Sequence, residues 1–251
     1  MADPRRVLVV VAHPDDEMQI SGTIALQARA GLEVTIAVAC NGNLGGLPGA
    51  TIEERAAARQ REMQAACELL GARLEWLGYG DDNFMARFYQ DYPATEMAFR
   101  NLCRRVDPEL MIVPALDDYH QHHRAVAELA LNATINASNP AIVSEEPPSS
   151  MVPYALHLPP VGPMPFAPAL YVDITETFKI KMAALTCHAS QHGYIQSHHR
   201  TDIFKQVEAA ALIHGTACGV TYAEALGLCL RFNRPATIQR LAGLFPGGKE
   251  A

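Results

Sequence analysis

The run VLVVVA at residues 7–12 has no polar side chain on either of its alternating faces. Such a strand must be covered from both sides, and burial of both faces marks a parallel sheet with helices above and below it. The pattern recurs. LEVTIAVAC (32–40), RLEWLG (73–78) and LMIVPA (110–115) read as further strands. Between them lie helical segments: MQISGTIALQARAG closed by Gly31, the amphipathic IEERAAARQREMQAACELLGA with Gly71 near its end, residues 94–106, and HHRAVAELALNATINA (122–137). Glycine just past a helical pattern is a common helix stop. The alternation predicts an α/β fold, a Rossmann-like, mostly parallel sheet flanked by helices over residues 5–137.

The pattern changes after that. Residues 138–170 are rich in proline and read as loop and hairpin, a lid or substrate wall. Residues 169–175 read as a strand and 177–190 and 201–214 as helices, while 222–232 fit strand or helix equally. This smaller C-terminal β/α portion (138–251) is expected to pack with the core as a single domain over residues 1–251.

Composition narrows the partners. A net charge of −7 with no basic block argues against nucleic acid and anionic membrane. The six cysteines form no CxxC pair and sit in apolar patterns, which reads as reduced thiols in a cytoplasm. The N-terminal apolar run resembles a signal peptide, yet it is too short and ends in charges. No window reaches the roughly 20 apolar residues of a membrane span. The expectation is a soluble, cytoplasmic protein without membrane insertion. Its Ala- and Leu-rich helices allow a homo-oligomer without demanding one.

In an open parallel sheet, ligands bind beyond the carboxyl ends of the strands. His13, Asp15, Asp16 and Glu17 follow the first strand directly. One acid there is explained as a helix cap. Several carboxylates together repel each other, and a cation removes that cost. His13 and Asp16 suit zinc, which leaves Asp15 free for proton transfer. DDYHQHHRAV (117–126) follows the fourth strand, so it faces the same edge. Taken alone, its three histidines read as a solvated polar cap. Beside the acidic turn they favour a metal site, because catalytic zinc needs three protein ligands and an open position. His13, Asp16 and one histidine of this cluster supply that set.

AHPDDE after the first strand, with a His-x-x-His pair before RAV, resembles the LmbE-like or PIG-L family of zinc-dependent N-acetylglucosaminyl deacetylases. RQREMQAACELLGA (59–72), YVDIT (171–175) and KMAALTCHASQ (181–191) agree in order and spacing, so the resemblance covers residues 6–230. It implies a hydrolase that removes an N-acetyl group from an N-acetylglucosamine-containing small glycoside or natural-product precursor. The alternative is an amidase that cleaves a larger amide, such as a thiol–sugar conjugate. By the same resemblance His13, Asp16 and His123 hold Zn2+, Asp15 is the general base, His120 stabilises the oxyanion, and Arg59 binds substrate. Such a ligand set also accepts Fe2+, Co2+ or manganese. The implied partner is a small amino sugar. A metal-free binding protein and a nucleotide-binding Rossmann enzyme are the contrasting readings, and the second lacks the glycine fingerprint.

Two positions depart from the family pattern. The family carries His-x-Asp-His where this chain has His122 in the acid's place. An acid there would orient His120 and keep it charged, a role that Asp117 or Asp118 could assume. Helical spacing puts His120 and His123 on one face and turns His122 away. His122 is therefore expected behind the ligands or in the substrate wall, with Asp118 as support. Ser21 replaces a glycine before Gly22, with a local packing effect expected. Without the resemblance, Arg59 reads as part of a solvated helix face. NGNLGG (41–46) reads as sugar pocket, Trp76 and Tyr79 as core, His188 as structural, and His198 and His199 as solvated.

Overall fold

The computed structural model describes residues 5–46, 48–161, 165–231, 241, 243–246 and 248–249. Its strands are β1 (Arg6–Val11), β2 (Glu33–Cys40), β3 (Arg73–Tyr79), β4 (Leu110–Pro114), β5 (Tyr154–Leu158), β6 (Leu170–Asp173), β7 (Ala223–Leu228) and β8 (Gly248–Lys249). Its helices are α1 (Ser21–Arg29), α2 (Ile52–Leu70), α3 (Phe84–Gln90), α4 (Tyr92–Val106), α5 (Gln121–Ala137), α6 (Phe178–Cys187), α7 (Ala189–Tyr194) and α8 (Ile203–Cys218). The sheet order is β3-β2-β1-β4-β5-β7-β6-β8. The first five strands of that order are mutually parallel, and β7, β6 and β8 add antiparallel pairs. The expected α/β architecture is therefore present.

Strand β1 shows why. Val7, Val9 and Val11 join one buried cluster with Ile20, Ile24 and Met63. Leu8 and Val10 join the other with Phe99, Leu102 and Val126. The period-two split sends alternate residues into two helical layers, and each buried aliphatic side chain contributes about 1.5–3 kcal/mol. Helix α2 is held at both ends by local chemistry. Thr51 and Glu54 form a reciprocal capping box, and Gly71 closes the helix at φ 71°.

Two sequence expectations need correction here, the hairpin and the unbroken first helix, and one open alternative is resolved. The proline-rich stretch holds no hairpin among its described residues. Instead β5 pairs parallel with β4, from Leu110 opposite Tyr154 to Pro114 opposite Leu158. The ambiguous segment near residue 222 is a strand, β7. The first predicted helix is also split. A short 3-10 turn (Asp16–Gln19) and the non-helical Ile20 precede α1. No helix among the described residues is long and apolar enough to cross a membrane.

The C-terminal portion is bonded to the core through a buried carboxylate. Glu224 on β7 accepts from the backbone N–H of Gly22 at 2.9 Å and of Thr23 at 2.7 Å, and from Thr23 Oγ1 at 2.6 Å. It thus caps the N-terminus of α1 from another element. Lys181 on α6 donates to Glu224 Oε1 at 2.6 Å and to the Met18 carbonyl. Both charged side chains are almost wholly buried. Gly22 permits the close approach, since a Cβ there would lie 2.9 Å from Ile174. Replacing Lys181 with Met leaves Glu224 a buried charge without its cation. The expected loss is about 3–5 kcal/mol, read from urea unfolding curves.

Candidate metal and catalytic site

The turn after β1 and the start of α5 after β4 meet at the carboxyl edge of the sheet, because β1 and β4 are parallel neighbours. There His13 Nδ1, Asp16 Oδ2 and His123 Nε2 form a triangle with edges of 3.5, 3.3 and 3.3 Å. A tetrahedral ion about 2.0–2.2 Å from each donor requires edges of roughly 3.3–3.6 Å. The residues present therefore fit a divalent cation of the expected kind. Burial works to raise the Asp16 carboxyl, but His123 and His13 beside it outweigh that and hold it well below the usual carboxylate range. Burial likewise works to lower His123, yet Asp16 and Asp118 push it up to about 10. The spot demands positive charge, which a cation or a proton on His123 satisfies.

Asp118 stands behind His123, with Oδ2 3.0 Å from His123 Nδ1. This fixes the ring so that Nε2 points into the triangle, the usual support for a metal-binding imidazole. The other oxygen, Oδ1, accepts the His120 backbone N–H at 2.8 Å. Asp118 thus supports His123 and leaves the His120 ring alone, unlike the substitute role considered from the sequence.

His122 does not line the cavity and stands behind His13, its Nδ1 3.0 Å from His13 Nε2 on the side opposite the triangle, with its ring edge-on against Phe84. His120 and His123 share the cavity side, although His120 is not helical. It is the N-cap of α5, extended at φ −85° and ψ 124°, with Gln121 first in the helix. His120 Nδ1 accepts the His122 backbone N–H at 3.2 Å. A backbone amide only donates, so the ring proton of His120 sits on Nε2. Burial first, then the neighbouring His13 and His123, push His120 down to about 4, and burial does the same to His122. Cys40, beside His13 and His122, is a thiol driven well up by burial.

Asp15 occupies a left-handed backbone position, φ 134°. Burial raises its carboxyl while Arg59 pulls the other way, and the net shift is upward. Arg59 Nη2 lies 3.1 Å from Asp15 Oδ1 and donates to the Pro14 carbonyl. Arg59 is buried, on the same inner face of α2 as Met63, Ala66 and Leu70, and not on a solvated face. Gly42, at φ 72°, lies against it, and a Cβ there would come within 2.8 Å of Arg59 Nε.

These groups line a cavity of about 460 Å³. Asp15, Asp16, His13, His120, His123 and Arg59 all reach it. Leu44 and Gly45 of the glycine-rich loop form one side, as expected. The far wall differs from expectation. Of residues 138–170 only Val161 lines the cavity among those described, and the wall is built from Gln191, Tyr194, Ile195, His199 and Thr201. A five-residue π-helical turn (Ile195–His199) carries His199 there. Tyr119 and Asp81 also line the cavity and were not singled out from the sequence. The signal for Asp81 was its place at the end of a strand, where it accepts the Gly42 N–H at 2.9 Å. Tyr79 packs on Phe84, a core role. His188 is fully buried against Glu17.

The family model described as PIG-L, GlcNAc-PI de-N-acetylase, matches residues 8–134. A 4-oxalmesaconate hydratase of Pseudomonas putida is 29% identical over 232 residues, covering 88% of each chain. A 1D-myo-inositol 2-acetamido-2-deoxy-alpha-D-glucopyranoside deacetylase of Nakamurella multipartita is 30% identical over 75% of this chain and 80% of its own. Among solved structures, an N,N'-diacetylchitobiose deacetylase from Pyrococcus horikoshii superposes with a TM-score of 0.76. It is 23% identical, over 90% of this chain and 84% of that one, a likeness of fold.

If Asp118 orients His123 toward the cation, Asp118→Ala lowers metal affinity by roughly 10–100-fold. Competition with a chelating dye measures this without substrate, and unchanged affinity would remove Asp118 from the site.

Proposed function

The chain belongs to the PIG-L family, and on that premise we propose that it is a metal-dependent hydrolase removing an N-acetyl group from an N-acetylglucosamine-containing small glycoside or natural-product precursor. One observation carries the reading. The His13–Asp16–His123 triangle opens on the same cavity as Asp15 and His120. Zinc is the proposed metal, held by those three side chains, and it would supply Lewis acidity and an acidified water. The chain's own residues do the rest. Asp15, raised by burial, takes the proton of the attacking water and returns it to the departing amine. His120 presents its Nε2 proton to the oxyanion as a neutral donor, its Nδ1 being occupied by a backbone N–H. Arg59 holds Asp15 in place at 3.1 Å. A cytoplasmic location belongs to the same proposal, supported by the free state of all six cysteines.

The cavity suits a small glycoside in size, since small-molecule sites run about 300–1,000 Å³. Its wall mixes tyrosine, glutamine, threonine and apolar side chains, which suits a sugar's hydroxyl edges and flat faces. A second reading, a hydratase acting on a carboxylate anion, is favoured by the end-to-end match to the Pseudomonas putida relative. The charge of the cavity speaks against it. Among the described lining residues Arg59 is the one Lys or Arg, and it is already paired with Asp15.

Acetate release by zinc-loaded protein across a panel of N-acetylglucosaminides, with aminoglycoside and inositol conjugates included, separates these readings. Release that falls roughly 10²–10⁴-fold in Asp15→Ala is the expected result. No acetate, together with water addition to an unsaturated polycarboxylate, would replace the deacetylase by the hydratase. Release of a larger acid would make it an amidase.

A further inference from the structure

Asp15 is a non-glycine residue at φ 134°, a strained backbone region, so something must hold it there. Two contacts do. Its carboxylate meets Arg59, and its backbone N–H donates to Glu17 Oε2 at 3.1 Å. Glu17 is fully buried, and its other oxygen lies 2.7 Å from Nε2 of His188, which is also fully buried. His188 sits at the junction of α6 and α7, two residues before Ser190. Ser190 in turn donates its N–H and its hydroxyl to Glu62, at 2.8 and 2.6 Å. Glu62 lies one turn beyond Arg59 on α2. The contacts close on themselves: Asp15 to Arg59, along α2 to Glu62, across to Ser190, back to His188, to Glu17 and to the Asp15 amide.

We propose that Glu17 and His188 are positioning residues. They hold the strained Asp15 turn and link it to the α7 wall that carries Gln191 and Tyr194. The proposal rests on the deacetylase reading, in which Asp15 is the base. Nothing in it requires His188 to touch substrate, and His188 does not line the cavity. A wall that shifts would therefore move the base through Glu17 and through Glu62. A base displaced by an ångström loses rate far from the residue altered, by roughly 10²-fold.

The test uses His188→Leu, which removes the donor to Glu17, and His188→Gln, whose amide reaches the same position. For His188→Leu the expected result is a kcat lower by roughly 10–100-fold, with KM and bound zinc unchanged. His188→Gln should recover most of that loss. In an Asp15→Ala background the His188→Leu change should cost almost nothing further, because there is no base left to position. An equal loss in both backgrounds, or a loss of zinc in step with activity, would overturn the proposal and leave His188 a packing residue. A crystal structure of His188→Leu supplies a readout independent of catalysis. Asp15 is expected to leave its left-handed conformation or its Arg59 contact, whereas an unchanged turn would sink the idea. If the unaltered protein releases no acetate from any substrate, that structure alone decides the ring while the deacetylase reading fails by itself.

Discussion

Three buried or nearly buried carboxylates stand side by side at the end of β1, and each needs its own positive or hydrogen-bonded partner. An uncompensated buried charge costs about 3–5 kcal/mol, so these partners are requirements of folding as much as of function. Asp15 has Arg59 from α2. Asp16 has His13 from its own turn and His123 from α5. Glu17 has His188 from the junction of α6 and α7. Three helices that are distant in sequence must converge on five residues of chain, His13 to Glu17. The convergence builds the cavity, because the residues that neutralise the turn also bring their neighbours to its rim.

The same rule operates on the other side of α1. Glu224 and Lys181 are both buried, and together they satisfy the first amides of α1 and the Met18 carbonyl. The C-terminal portion therefore grips the acidic turn at two points, through His188 and through the pair at α1. Its mostly antiparallel strands continue the parallel sheet from β5. The cation triangle comes from the first half of the chain and the Gln191–Thr201 wall of the cavity from the second. They are nonetheless joined by charged groups that neither half could bury alone.

Much of this was legible in the sequence, for physical reasons. The two-sided apolar run of β1 admits one kind of sheet, and the carboxylates of HPDDE cannot be packed without positive partners. The strand β5 was not legible. YALHL is five residues among prolines, and its alternate burial depends on β4 lying beside it. His122 stands behind His13 and off the cavity, but helical periodicity alone does not put it there, since His120 is an extended cap. The wall was placed in the proline-rich stretch since loops there resemble a lid. It lies in α7 and the π-helical turn, whose polar residues look solvated until the cavity is folded beneath them. Arg59 was ambiguous by periodicity alone. A buried arginine with a carboxylate partner and an exposed one share the same helical spacing, and only the partner's position separates them.

His122 shows how one substitution propagates through hydrogen-bond direction. With a cation in the triangle, His13 Nδ1 would give its lone pair, Nε2 would carry the proton, and His122 Nδ1, 3.0 Å away, would accept the hydrogen bond. A carboxylate in that position would accept the same proton while adding a full negative charge beneath the ligands. An imidazole accepts it without that charge. Three imidazoles surround His13, and burial opposes charging His120 and His122, whereas Asp16 and Asp118 push His123 up. Around the cation site the carboxylates are then those of Asp15, Asp16 and Asp118, with Glu17 and Asp81 beyond them. A cation held by fewer negative charges is a stronger Lewis acid and a more weakly bound one. On the proposed reading, histidine in place of the acid would trade affinity for acidity at the metal, and would leave His120 to act through a hydrogen bond instead of a charge.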